Sequence, residues 1–263
     1  MNDFPFIETQ EHRRFSEFCD ACRQYRYIGL CYGAPGVGKT VSAETYSEWQ
    51  RLQSLASLQR SDMPAEAEAF AKQALLYTVA VTASPGQIER AIHFQRSQLN
   101  YVLLATRAPH SHHGPWHHSP RDLVEVIIID EADRLGPKLL EQVRDIYDRA
   151  PIGVVLIGMP GIEKRLARYP QLYSRIGFVH HFRPLAHGEM REVLPQLWQQ
   201  LHHDTNMLSE AALATVMRIT GGNFRLMQRL LTQVERIVGI NHLETVTKEA
   251  LELARQSLIV GAT

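Results

Sequence analysis

The chain has 263 residues, 44% of them hydrophobic, and its 28 Lys plus Arg are balanced by 28 Asp plus Glu. That balance excludes a uniformly basic nucleic-acid coat and an acidic disordered chain, so any charged face must be local. No run reaches the roughly 18 apolar residues of a membrane span, MNDFPFIETQEHRRF lacks the apolar stretch of a signal peptide, and three cysteines make no disulfide framework, so a soluble protein of the reducing cytoplasm is expected.

No internal repeat of 20–50 residues is visible. A first helix is expected over 8–25. Short runs rich in β-branched or aromatic residues then predict strands at 27–32, 76–81, 124–129, 153–157 and 178–182. Helical patterns lie between them at 38–57, 64–74, 86–105, 138–149 and 162–169. Such alternation predicts an α/β fold with a parallel sheet and helices on both faces. Beyond Pro184 the pattern is helical only, with segments at 188–203, 209–220, 224–239 and 243–258. Ser209 and Asn223 are placed as N-caps there. The expected division is an α/β domain over 1–184 and a small α-helical domain over 185–263.

Residues 105–122 break this rhythm with three prolines, a glycine and five histidines, and read as a loop. His110, His112, His113, His117 and His118 lack the companion Cys or carboxylate spacing of a metal site, so a polar loop is the expectation. Cys19 and Cys22 fall on the first predicted helix at the spacing of Phe15 and Phe18. They are expected to be packed thiols. Leu226, Leu230, Val234 and Ile237 form an apolar stripe expected to be core.

The chemistry concentrates in two places. Gly33-Ala34-Pro35-Gly36-Val37-Gly38-Lys39-Thr40 fits G-x-x-x-x-G-K-[ST] in full, between a predicted strand and a predicted helix. Its glycines let backbone N–H groups turn toward phosphates, and the helix beginning at Lys39 adds its positive end. Lys39 suits the β- and γ-phosphates of a nucleotide, Thr40 offers a hydroxyl to Mg²⁺, and Val41 completes the nucleotide-binding set. About 90 residues later, Val126-Ile127-Ile128-Ile129 ends in Asp130-Glu131. Asp130 is placed to hold Mg²⁺, and Glu131 to polarise the attacking water.

The P-loop, the IIIDEADRL segment, five predicted strands and a helical tail resemble the AAA+ ATPases over nearly the whole chain. The resemblance implies strand order 5-1-4-3-2 and a C-terminal helical lid. It also implies an arginine donated in trans to the γ-phosphate of a neighbouring subunit. Residues 163–178 carry Lys164, Arg165, Arg168 and Arg175 against one carboxylate. Arg175 is the first candidate, with Arg168 and Arg165 behind it. Gly222-Asn223-Phe224-Arg225 resembles the sensor-2 pattern, which assigns Arg225 to the γ-phosphate of its own chain. At the end of the fourth strand, Ile157-Gly158-Met159-Pro160-Gly161 offers neither the Asn nor the Thr usual in the family. Slow hydrolysis is the consequence expected.

The segments HRRF, YGAPGVGKT, TVAVTASPGQIERAI and GMPGIEKRLARYPQLYSRIGF narrow the resemblance to transposition regulators of the TnsC, TniB and MuB type. That type implies ATP-dependent assembly into a ring or helical filament on double-stranded DNA. It also implies recruitment of a DDE transposase, contact with a target-selection factor, and DNA-stimulated turnover in the bacterial nucleoid. With a net charge of zero, a DNA face must be local. Arg90, Arg96 and Arg107, near Gln95, Gln98 and Asn100, are the candidates for backbone phosphates. Two alternatives stay open: a helicase loader of the DnaC or IstB kind, and a nucleotide-gated DNA scaffold with little turnover.

Overall fold

Strands β3 (Val126–Asp130) and β4 (Gly153–Gly158) are buried at every position, as strands covered on both faces must be. In the computed structural model they are central strands of a five-stranded, all-parallel sheet of order β2-β3-β4-β1-β5. This is the expected order read from its other edge. β1 is Ile28–Tyr32, β2 is Ala74–Thr78 and β5 is Ile176–His181. The structure describes residues 6–59, 62, 70, 72–107, 122–202 and 208–258. The predicted helix at 64–74 lies largely outside them, and the five loop histidines lie wholly outside.

The helices of the first half are α1 (Gln10–Tyr25), α2 (Lys39–Tyr46), α3 (Trp49–Ala56), α4 (Pro85–Arg107), α5 (Pro137–Arg149), α6 (Ile162–Leu166) and α7 (Pro170–Tyr173). The single helix expected over 38–57 is two. Glu48 takes a left-handed conformation, φ 50°, and its carboxylate accepts the N–H of Phe70 at 3.0 Å. The helix expected over 162–169 is likewise split, because Tyr169 precedes Pro170 and is pushed out of helical geometry. Strand β2 lies two to three residues earlier than expected. Val81, counted as a strand residue, is 82% exposed beyond its end.

Helix α1 meets the sheet at two glycines. A Cβ at Gly29 of β1 would lie 2.3 Å from the Cys22 sulfur, and one at Gly153 of β4 would lie 2.5 Å from the Cys22 carbonyl oxygen. Cys19, Cys22 and Cys31 are all buried thiols outside any disulfide, and burial pushes Cys22 up to about 12. They are inert packing groups, as their helical spacing predicts.

Contacts along the backbone divide the chain into two units. Arg14–Gly33 and Lys39–His181 form the sheet unit. The described residues of Met1–Arg13, Ala34–Gly38 and Phe182–Thr263 form a helical unit. The latter holds α8 (His187–His202), α9 (Glu210–Thr220), α10 (Phe224–Asn241) and α11 (Lys248–Gln256). Its core is built around Trp198, Leu194, Leu197, Val216, Met227, Leu230 and Val234. Of the expected stripe, Leu230 and Val234 are core, Ile237 packs at its margin and Leu226 is half-buried outside it. Ser209, Asn223 and Thr247 each accept a backbone N–H as N-caps. Among the described residues no helix is long and apolar enough to cross a membrane.

Candidate functional site

The sheet unit gathers its chemistry at the carboxyl ends of β1, β3 and β4, where ligands of open parallel sheets are bound. β1 ends at Tyr32, and its continuation is fastened to β4 by the Gly33 N–H, which donates to the Gly158 carbonyl at 3.4 Å. Lys39 opens α2 and is buried, with its ammonium donating to the Gly33 carbonyl at 2.6 Å. Burial lowers its pKa below the ordinary lysine value, and the nearby Cys31, Asp130, Asp133 and Glu131 oppose that shift. The Thr40 hydroxyl donates to Asp130 Oδ2 at 2.8 Å. Asp130 is 3% exposed, and its other oxygen accepts the Glu131 N–H at 2.8 Å. A hydroxyl and a buried carboxylate, side by side at the start of a P-loop helix, are hard oxygen donors suited to Mg²⁺.

Glu131 has φ 57°, a left-handed conformation that a non-glycine residue adopts only under constraint. It breaks the strand and opens the 3₁₀ turn Ala132–Arg134. Its carboxylate lies 3.6 Å from the Arg134 guanidinium, which also donates to the Val79 carbonyl at 2.7 Å.

Two residues that sequence reasoning did not assign to this turn hold it in place. Asp133 Oδ2 accepts the Met159 N–H at 2.6 Å, and Arg165 donates to the carbonyls of Asp133 at 2.6 Å and Ala132 at 2.8 Å. A Cβ at Gly158 would lie 2.7 Å from Asp133 Oδ2 and 2.5 Å from Ile162. The end of β4 thus lacks a side chain because the carboxylate of the β3 turn lies against it. The signal was in the sequence as Asp133 within IIIDEADRL, but only the pairing of β3 with β4 makes it readable.

The helical unit holds the turn of the P-loop, Ala34–Gly38. Gly36 and Gly38 have φ of 80° and 110°, which glycine alone adopts freely. Asn223 donates to the Pro35 carbonyl at 2.8 Å, and the Arg225 N–H donates to the Gly36 carbonyl at 3.0 Å. Gly222 is required by a close approach, since a Cβ there would lie 2.2 Å from the Leu185 carbonyl oxygen. The Arg225 side chain is exposed, as is Val41.

The remaining arginines are spread over the sheet unit. Arg175 forms a two-pronged pair with Asp148 at 2.6 and 2.9 Å and also donates to the Gln171 carbonyl. Its hydrogen bonds hold the Asp148 carboxyl below the usual range. Arg168 is exposed. On α4, Arg90 donates to its own helix at Gly86, and Arg96 pairs with Asp122. Asn100 also bonds Asp122, while Gln95 and Gln98 line a groove with Trp49 and Phe94. Arg107 ends α4. Among the described residues no group of three or more His, Cys, Asp or Glu could hold a metal.

Comparison with known proteins points the same way. A family model described as an AAA domain matches residues 22–166. A potential ATP-binding protein of Staphylococcus aureus is 40% identical, with 97% of each chain covered. The ATP-dependent target DNA activator B of Escherichia phage Mu is 25% identical over 65% of this chain and about half (49%) of its own length. Among solved structures, the Thermotoga maritima RuvB Holliday junction branch migration motor superposes with a TM-score of 0.61 at 15% identity. That match covers 96% of this chain and 70% of the other. The Aeropyrum pernix ORC1 protein in complex with DNA gives 0.60 at 18% identity, covering 97% and 67%. These two show the fold.

Proposed function

Because the chain belongs to the AAA family of ATP-binding proteins, we propose that it is an ATPase that assembles on double-stranded target DNA and regulates transposition. The observation that carries the chemistry is the Thr40–Asp130 pair at 2.8 Å beside the buried Lys39. The likeness to the Mu target DNA activator supports the choice of partner.

In this reading residues 33–41 bind ATP. Thr40 and Asp130 hold Mg²⁺, which when bound neutralises phosphate charge. Lys39 neutralises the β- and γ-phosphates, and Glu131 accepts a proton from the attacking water at a carboxylate oxygen. Arg225 serves the nucleotide of its own chain. Arg175 serves that of a neighbour, with Asp148 holding its guanidinium flat and ready. Residues 1–184 are then the ATPase domain and 185–263 its lid. Arg90, Arg96 and Arg107 on α4 face DNA phosphates, and the assembled ring or filament recruits a DDE transposase and meets a target-selection factor. The work is done in the bacterial cytoplasm at the nucleoid.

A scaffold with little turnover is favoured by one feature, the Arg134 cation beside Glu131, which competes with water for the carboxylate. Negative-stain microscopy with duplex DNA separates the readings when ATP, ADP or no nucleotide is supplied. Rings or filaments on duplex with ATP alone are expected. Glu131→Gln should slow phosphate release by at least about 10²-fold and leave the assemblies in place. No assembly on duplex with any nucleotide would overturn the transposition reading. Assemblies whose turnover and lifetime ignore Glu131→Gln would favour the scaffold.

A further inference from the structure

Helix α10 starts at Phe224 with Asn223 as its N-cap. The Asn223 side chain is engaged at both ends. Oδ1 accepts the Leu226 N–H at 3.1 Å, which satisfies one orphan donor of the helix start. Nδ2 donates to the Pro35 carbonyl at 2.8 Å. Two residues on, the Arg225 N–H donates to the Gly36 carbonyl at 3.0 Å. Two consecutive carbonyls of the P-loop are therefore held by the first turn of one helix. The fit is close as well: a Cβ at Gly36 would lie 2.6 Å from Asn223 Oδ1 and 2.9 Å from Arg225 Cβ. Gly36 is thus glycine for two reasons, its φ of 80° and the presence of Asn223.

Among the common cap residues, asparagine alone carries an acceptor and a donor on separate atoms: at neutral pH Asp has no donor, and Ser or Thr offers a single hydroxyl oxygen. The amide orientation is fixed by its neighbours. Exchanging O and N would set two acceptors together at Pro35 and two donors together at Leu226. The peptide group is planar and trans, so its C=O and N–H point in opposite directions. Holding the Pro35 carbonyl toward α10 turns the Gly36 N–H the other way, and holding the Gly36 carbonyl does the same for the Val37 N–H. Those are donors of the phosphate-binding turn.

We propose that Asn223 is a positioning residue for the phosphate site, orienting the Gly36 and Val37 N–H groups through the carbonyls on the far side of their peptides. The inference rests on the P-loop being a nucleotide site. Coupling is reciprocal, so nucleotide held by the turn also steadies the start of α10.

The test is titration of the full chain with a fluorescent ATP analogue, alongside thermal melting without nucleotide. Asn223→Ser keeps a good cap and loses the bond to Pro35. It should bind the analogue about three- to tenfold more weakly, the worth of one hydrogen bond, with a melting midpoint that falls less than that of Asn223→Ala. Asn223→Ala loses cap and bond, so it should show the same weakening together with a lower midpoint. Wild-type affinity in Asn223→Ser, or a loss that appears only with the lowered midpoint of Asn223→Ala, would overturn the proposal. A wild-type chain that binds no analogue would instead overturn the nucleotide-site reading, and this inference with it.

Discussion

At the scale of single residues, the turn after β3 is held by bonds from several sides. Glu131 sits in a left-handed conformation that costs of order 1–3 kcal/mol. What surrounds it has to impose that conformation. Asp130 receives its N–H, Asp133 fastens the turn to β4, and Arg165 binds two of its carbonyls. Arg165 carries the sharpest consequence. Removing its guanidinium leaves the Ala132 and Asp133 carbonyls without those donors, a loss of about 1–3 kcal/mol. Arg165→Gln should lower the urea midpoint accordingly and slow ATP turnover, because the proposed base loses its support. An unchanged midpoint would show that the two carbonyls find other donors.

At the scale of elements, three of the four helices described after Phe182, α9, α10 and α11, begin at side-chain caps. Ser209 accepts from Ala212 at 3.2 Å and Thr247 from Ala250 at 3.2 Å. Glycine in left-handed geometry at Gly221 ends α9. Ser209→Ala should therefore cost about 1 kcal/mol, while Ser209→Asp, an equally good cap, should be neutral or slightly stabilising. Chemical denaturation of the two variants checks the pair, and equal losses in both would contradict the capping role. β5 is the contrasting case. It pairs only with β1, alternates half-buried and exposed positions, and leaves Val179 61% exposed. β4, an interior strand between β3 and β1, is buried throughout.

At the scale of the whole molecule, charge is balanced at pH 7, and a buried histidine gives pH a direct hold on stability. His12 is 8% exposed, and desolvation holds its pKa below the ordinary 6.5 against the opposing pull of Glu8. The sign follows from linkage. Below about pH 6.5 the unfolded chain binds a proton that the folded chain resists, so stability is lost as pH falls toward the folded pKa and levels off beneath it. Melting scans from pH 7.5 to about 5 should show a shallower fall for His12→Gln than for wild type. Parallel curves would mean that other groups account for the acid sensitivity.

What the sequence determined by itself was the chemistry that is local in the chain. The P-loop needs glycines at Gly36 and Gly38, a lysine and a hydroxyl within eight consecutive residues, and a short motif can specify all of that. An apolar run ending in Asp130-Glu131 likewise announces a buried strand with carboxylates at its end. The strand–helix alternation, the helical tail and the caps at Ser209 and Asn223 were legible for the same reason, being written in period and punctuation, whereas the strand order was implied by the resemblance to the AAA+ ATPases. Other features needed the folded chain. Glu48, where the expected helix breaks, bonds the N–H of Phe70, 22 residues away. The bare end of β4 is explained only by Asp133 arriving from the neighbouring strand. Asn223 reads as a cap in the sequence, and its second bond, to a carbonyl 188 residues earlier, exists only in three dimensions. Spacing along the chain encodes what a strand, turn or helix does to its own backbone. Pairings across long separations are set by packing, and one sequence holds no local mark of them.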